Sequence, residues 1–382
     1  MAPPSSAAQS PDLGQEFAAA AGELLAARLP VEPHASPEAL IGRQNAIWPE
    51  LTELGWFDLL RPEDEDGLGL EPAVLGGMFA AIGRNLAPGP LIASMFAAPW
   101  LASRFGDAAL GTGPAGQGTR FALADPARGG WLASGERLRL SGGRLEGTVR
   151  GVPNLPDAER IIVCAGRRAE DRVLLAIDPE AEGVRIEPSR TLDPSWSFGT
   201  LVCDGCRVGE PELVARGAEA GRALAEVLAW ERILLSCEIS GAVDRVLELT
   251  VAFVKERSQF GRPIGSFQAV KHMVADMACA AITLRNLISL TLEEAGAASP
   301  QELEEAAMAL KSHASKVGVG VCEAALQSHG GIGFTSEYEL HLYFKRALTV
   351  AAQLGSAREL DVELGARALD RGRRREAGSR WS

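Results

Sequence analysis

Apolar residues recur at helical spacing from about Leu13 to Phe105, broken by Pro33, Pro37, Pro62, Pro72, Pro88 and Pro90. This pattern predicts a cluster of helices. Between about Arg120 and Leu213 the period shortens to brief apolar runs bounded by Gly, Pro and Asp, such as RIIVCAG, RVLLAID and GTLVCDG. These runs predict a β-domain of roughly seven strands. From about Ala218 to Leu369 the helical period returns in longer segments, punctuated by Pro263, Pro300 and the run from Gly330 to Gly333. The fold expected is therefore α+β: an N-terminal helical domain (13–119), a central β-barrel-like domain (120–214) and a C-terminal four-helix bundle (215–371). Residues 1–12, rich in Pro, Ser and Ala, read as a disordered N-terminus, and 372–382 as a basic tail. A helical bundle docked on a β-domain leaves a crevice between domains, where cofactor sites commonly lie.

Charge and composition narrow the chemistry. With 382 residues and a formal charge of −12, the chain lacks the basic footprint that nucleic acid or an anionic membrane selects. No run approaches the roughly 20 uninterrupted apolar residues of a membrane span, and MAPPSSAAQSPD lacks the regions of a signal peptide. The expectation is a cytoplasmic protein with no membrane span and no nucleic-acid partner. Six scattered cysteines form no disulfide framework. Cys203 and Cys206 have CxxC spacing, but no second pair or nearby histidine completes a zinc set, and no helix follows as in a thiol redox motif.

Two stretches carry more information. In ERSQFGRPIGSFQ, Glu256 to Gln268, Arg257 and Arg262 flank Gly261, where backbone can approach a ligand and a guanidinium fork suits a pyrophosphate. In QSHGGIGFTSEYELHLYFKRA, Gln327 to Ala347, three glycines interrupt a helical pattern, a costly choice unless backbone must bend or meet a ligand. Both stretches resemble signatures of the acyl-CoA dehydrogenases, with LGWFDLLRPEDEDGLGL, GRNLAPGPL, FALADP and TLDPSWSFGTLVCDGC agreeing in place and order. The resemblance covers nearly the whole chain. It implies FAD as cofactor, with Arg257, Phe260 and Gln268 touching the FAD of a neighbouring subunit and Gln327, Gly330 and Gly331 packing on its adenosine half. His329 is read as a supporting residue. Where well-known members carry a threonine and a Gly-Ser-Asp loop against flavin and acyl-CoA, this chain has Ala124, Asp125 and ARGGW. Backbone from Leu123 to Gly130 then remains as the candidate contact.

The family's reaction needs a carboxylate to remove an α proton. In many members it follows the Gly-rich segment, but here Leu354 or Gly355 falls at that position. Other members carry it on an earlier helix directly before an arginine, and Trp230-Glu231-Arg232 stands in the matching place. Glu231 shares a helical stripe with Leu224, Leu228 and Leu235, so a carboxylate lies on an apolar face, where desolvation would raise its pKa. A structural ion pair, with Arg222 or another helix, is the competing reading. The resemblance gives Arg232 to the acyl-CoA substrate. Glu226 and Glu248 read as helix-surface charges, and Glu359 and Asp361, after Gly355, are where the search for a base reopens if Glu231 is ruled out.

The function implied is FAD-dependent α,β-dehydrogenation of an acyl thioester, with electrons passing to an electron-transfer flavoprotein or similar acceptor. The assembly implied is a dimer or tetramer, either of this chain or with a homologue. Two rivals share the fold: a non-catalytic subunit of a heteromeric acyl-CoA dehydrogenase, and an oxygen-using flavoenzyme.

Overall fold

The computed structural model describes residues 11–111, 118–125, 137–166 and 171–379. The expected disordered start lies, up to residue 10, outside them, as do residues 126–130 of the expected flavin-facing backbone.

The first block contains α1 (Pro11–Arg28), α2 (Pro37–Glu53), α3 (Leu75–Arg84) and α4 (Ala98–Phe105), the last entered through a π-type turn at Ala93–Ala97. α2 starts where Ser36 caps it, its side chain accepting the Ala39 N–H at 3.2 Å, with Pro37 preset for the first turn. α3, LGGMFAAIGR, is almost wholly apolar and short. Its position is set by small residues described below.

The β-domain holds eight strands among the described residues, one more than the pattern predicts: β1 (Phe121–Ala124), β2 (Leu138–Ser141), β3 (Arg144–Pro153), β4 (Arg160–Ala165), β5 (Val173–Ile177), β6 (Val184–Ser189), β7 (Phe198–Arg207) and β8 (Leu213–Arg216). They run in the order β6-β7-β3-β2-β4-β5-β8, with β1 parallel to β4. β1, β4 and β5 read as unbroken apolar runs because both of their faces are covered. Phe121, Leu123, Ile162, Cys164, Leu174 and Ala176 join the helical core, whereas Ala122, Ala124, Ile161, Val163 and Leu175 fill the β-domain's own. Cys203 and Cys206 lie in that second core, where burial pushes the Cys203 thiol up to about 12. Gly205, at φ +68, breaks the alternation of β7 so that both thiols point inward.

The last block is α5 (Gly217–Glu256), α6 (Gln268–Ala295), α7 (Pro300–His329), α8 (Leu340–Ala352) and α9 (Ala357–Ser379). The expected four-helix bundle thus has a fifth helix, and α9 runs through most of the expected tail. Buried Leu360 and the ion pairs Arg367–Glu304 (2.9 Å) and Lys316–Asp361 (2.7 Å) fasten α9 to α7. α5, 40 residues long, is the spine that touches all three blocks. α6 qualifies the expectation about membranes: by length and composition it could cross one, although Lys271, Asp276 and Arg285 punctuate it. Only 22% of its most apolar window is buried, and Ile282 and Leu290 are exposed.

Candidate active site

The site begins with a close crossing. A Cβ on Gly83 of α3 would collide with the Glu238 carbonyl oxygen on α5, and one on Gly241 of α5 with the Ala80 carbonyl oxygen on α3. Two glycines therefore let the backbones meet, and the side chains beside the crossing frame a cavity. Phe79 and Ile82 come from α3, Leu91, Ile92 and Ala93 from the segment entering α4, Phe121 and Leu123 from β1, Pro153 and Asn154 from the end of β3, and Trp196 from the β6–β7 loop. α5 contributes two carboxylates, Glu231 and Glu238. Seven residues apart, they share one face of the helix.

Glu231 is 0% exposed. It sits where the sequence stripe placed it, in an apolar wall made by all three blocks. Ala124, whose lack of a hydroxyl departs from the family pattern, belongs to the β-domain core, whereas its neighbours Phe121 and Leu123 line the cavity. The residue that the family places there would thus face away from this cavity.

Behind Glu238 lies a buried arginine that sequence reasoning did not single out. Arg346 of α8 donates through Nε to Asp193 Oδ2 and through Nη1 to Glu238 Oε1, each at 2.5 Å. Its Nη2 donates to Ser195 Oγ at 2.5 Å and lies 3.4 Å from the carbonyls of Leu86 and Ala87. Burial disfavours the guanidinium charge, but Asp193 and Glu238 more than offset this and hold Arg346 above its ordinary value. One side chain thereby pins the α3–α4 segment, the β6–β7 loop, α5 and α8 together. The signal was present in the HLYFKRA match, but nothing local in sequence tells a buried arginine from a solvated one.

The other expected site residues lie elsewhere. Arg232 is half-buried and donates from Nε to the Leu354 carbonyl at 3.2 Å. Leu354 (φ +58) and Gly355 (φ +100) form the turn between α8 and α9, the place where other members keep their base. The reserve carboxylates are engaged locally: Glu359 accepts from Ser356 N and Oγ at 2.7 and 2.8 Å, and Asp361 from Ser312 Oγ at 2.5 Å. Glu226 is more than a surface charge, since it is half-buried and accepts from Arg104 of α4 at 2.9 Å. Burial raises its pKa against the pull of that arginine.

Arg257, Phe260 and Gln268 are all exposed. This stretch forms a hairpin of two-residue strands, β9 (Ser258–Gln259) and β10 (Arg262–Pro263). Phe260 and Gly261, at φ +52 and +79, are its central residues, the left-handed pair that a tight hairpin demands. Phe260 is 92% exposed, and Arg262 stacks on Phe267 at 4.0 Å. Gln327, Gly330 and Gly331 are likewise exposed at the end of α7, and a Cβ on either glycine would meet nothing within 4 Å. Gly330, at φ +63, must be glycine for its own backbone, whereas neither packing nor a positive φ requires it at Gly331, where the open backbone leaves room for a ligand such as FAD. His329 beside them is buried against Phe253, its ring 4.1 Å away, and Nδ1 meets the Ala325 carbonyl at 2.8 Å. Desolvation lowers its pKa. From Glu231 to Arg257 is 26 residues, roughly 39 Å of helix. One chain therefore does not bring its carboxylate and its hairpin into one pocket.

The family model described as "Acyl-CoA dehydrogenase, C-terminal domain" matches residues 220–370. The acyl-CoA dehydrogenase IpdE2 of Mycolicibacterium smegmatis is 31% identical over 341 residues, covering 86% of this chain and 92% of that protein. The acyl-CoA dehydrogenase FadE34 of Mycobacterium tuberculosis is 29% identical over 323 residues, 81% of this chain but 40% of that longer protein. Among solved structures, the Tcur3481-Tcur3483 steroid ACAD aligns with a TM-score of 0.81 at 25% identity, over 94% of this chain and 99% of that one. The ChsE4-ChsE5 complex of M. tuberculosis has the same fold, at TM-score 0.79 and 21% identity over 94% and 98%. By its sequence over most of its length and by its three-block architecture, the chain belongs to the acyl-CoA dehydrogenase family of FAD-dependent oxidoreductases.

Proposed function

We propose that Glu231 is the base that removes the α proton of an acyl thioester in this chain's dehydrogenation reaction. The observation that carries the reading is a carboxylate with no exposure, facing an apolar cavity that three domains close around it. A base in such a wall is shielded from competing water and held in place by packed neighbours. Arg232 supports the substrate side through its bond to the Leu354 carbonyl, which fixes the α8–α9 turn beside α5.

FAD, when bound, supplies the hydride acceptor for the β carbon. Arg257, Phe260 and Gln268 reach out to hold it for a neighbouring subunit, and Gln327, Gly330 and Gly331 offer open backbone to its adenosine half. The 39 Å run of α5, roughly, together with the exposed apolar face of α6, supports an oligomer in which each site takes residues from two chains. An electron-transfer flavoprotein or similar acceptor would reoxidise the flavin. A second reading, in which this chain lends residues to an active homologue, draws on its likeness to the ChsE4-ChsE5 complex and the Tcur3481-Tcur3483 steroid ACAD. The buried Glu231 favours the first.

The test is Glu231→Gln, which keeps size and shape but cannot take the proton. Reduction of bound flavin by acyl-CoA should slow by about 10²-fold or more, the scale of a general base, while the protein remains folded and yellow. Near-normal bleaching in this variant would remove Glu231 from the mechanism.

A further inference from the structure

Among the described residues, two ionisable side chains line the Glu231 cavity, and proton abstraction uses only one. The other is Glu238. It follows seven residues later in unbroken α5, so the two carboxylates lie on one face of the helix, roughly 10 Å apart along its axis. The cavity that they share offers water about 20 Å³, space for roughly one molecule. Bulk solvent therefore does not separate them.

The charge behind Glu238 does not balance. Asp193, Glu238 and Arg346 have side chains only 1–2% exposed, and one guanidinium serves both carboxylates. Its other partners, Ser195 and the Leu86 and Ala87 carbonyls, are neutral. One proton or one negative charge is left over. Burial raises the Glu238 carboxyl above its ordinary value while Arg346 opposes the rise, so this carboxyl is poised to keep or release that proton. It is also the member of the cluster that lies in the cavity wall. Other charges around Glu231 come from Arg232 beside it, from Lys311 of α7, which feels the charge of Arg232, from the Arg104–Glu226 pair joining α4 to α5, and from Asp125, buried at the end of β1. α3 and the segment entering α4 present Phe79, Ile82, Leu91 and Ile92 to the cavity, and these carry none. Substituting Glu238 leaves all of them in place.

We propose that Glu231 and Glu238 ionise as a coupled pair, each opposing the charge of the other, so that the charge state of Glu238 sets how strong a base Glu231 is. Glu238 touches no reacting atom and acts through Glu231. The effect on the reaction rests on the Glu231 reading, whereas the coupling does not. With an effective dielectric constant of about 20, two charges roughly 10 Å apart repel enough to move the second ionisation by about one pH unit, or about tenfold in its equilibrium constant.

The test is an infrared titration of the FAD-loaded protein that follows the C=O stretch of its protonated carboxyls. Glu231→Gln and Glu238→Gln each delete one band and so assign both. Either substitution keeps size, and either should lower the midpoint of the remaining carboxyl by about one pH unit where that carboxyl is the one that ionises second. A purely structural pair would show no such shift. Asp193→Asn takes one charge from the cluster without touching either cavity carboxyl; it should move both midpoints down, and it serves where Glu238→Gln does not fold. Midpoints that stay put in every variant overturn the proposal. In wild type and in Glu238→Gln alike, the pH midpoint of flavin bleaching by octanoyl-CoA should track the Glu231 band. Coupled bands with bleaching that ignores Glu231 place the failure in the base reading, and the effect on the reaction falls with it. Bleaching that needs Glu231, with bands that do not move, leaves the base standing and sinks the coupling alone.

Discussion

Glu231 and Arg257 belong to one helical spine, yet their surroundings are opposite. Glu231 sits in a wall to which three blocks of its own chain contribute, whereas Arg257 ends α5 in solvent beside an exposed hairpin. The interior region is framed within one chain: two glycines let α3 and α5 cross, and Arg346 pairs with Asp193 and Glu238. The exterior region has an αL phenylalanine that is 92% exposed, its ring edge-on to Phe267, and glycines whose Cβ positions are open. Such local cost persists where something outside the chain makes use of it. On the proposed reading, chemistry placed inside is tied to folding, and chemistry placed outside is tied to assembly.

The largest test of this contrast is at Arg346. Arg346→Met keeps bulk but leaves Asp193 and Glu238 buried without their cation, so stability should fall by about 3–5 kcal/mol. A denaturant titration measures this directly. A loss below about 1 kcal/mol would mean that the three blocks are held together by apolar packing alone, and the interior would no longer differ from the exterior in kind.

Next in size is Arg257→Ala. With no buried partner to abandon, it should leave the unfolding midpoint nearly unchanged, yet weaken FAD retention by tenfold or more, about 1.5–3 kcal/mol for a hydrogen bond to a charged group. Gln268→Ala should act in the same direction and more weakly. Dialysis followed by flavin absorbance, beside a melting curve on the flavin-free protein, separates the two effects. Full FAD retention by both variants would detach the hairpin from the cofactor.

How far the sequence reaches follows the same divide. The period-two and period-3.6 runs ordered the helical, strand and helical blocks, and the stripe Leu224, Leu228, Glu231, Leu235 put a carboxylate in the interior, because burial of a helix face is written in its periodicity. The eighth strand was missed because β1 and β8 are four residues each, too short to carry a period. Arg346 and Lys311 were missed for another reason. Each is a single charged residue in an otherwise ordinary helical run, and what buries it comes from segments distant in sequence. For Arg346 these are Asp193, Glu238 and the Leu86 carbonyl. The Phe260–Gly261 turn was read as a place for close backbone approach but not as a hairpin, since two-residue strands leave no pattern.

The smallest effect, taken per pH unit, concerns Lys311, the interior cation that the sequence hid. It is 0% exposed on α7, and its Nζ donates to Ser315 Oγ at 2.9 Å, a neutral partner. Burial, helped by the nearby charge of Arg232, pushes its pKa down to about 7, against an ordinary value of 10.5. Below that folded value both folded and unfolded chains carry the proton, and the fold bears the full cost of a buried charge. Between about 7 and 10.5 the unfolded chain still binds the proton while the folded chain has released it, so stability rises with pH across this window. Lys311→Met removes the titration. Its stability advantage over wild type should therefore be greatest under mildly acidic conditions and shrink by about 1.4 kcal/mol for each pH unit climbed from about 7 toward 10.5. The quantity to measure is the difference in unfolding free energy between wild type and variant at several pH values, because other titrating groups cancel in that difference. A pH-independent difference would mean that Lys311 keeps its charge in the fold, and that the α5–α7 interface solvates a cation as well as the exposed hairpin does.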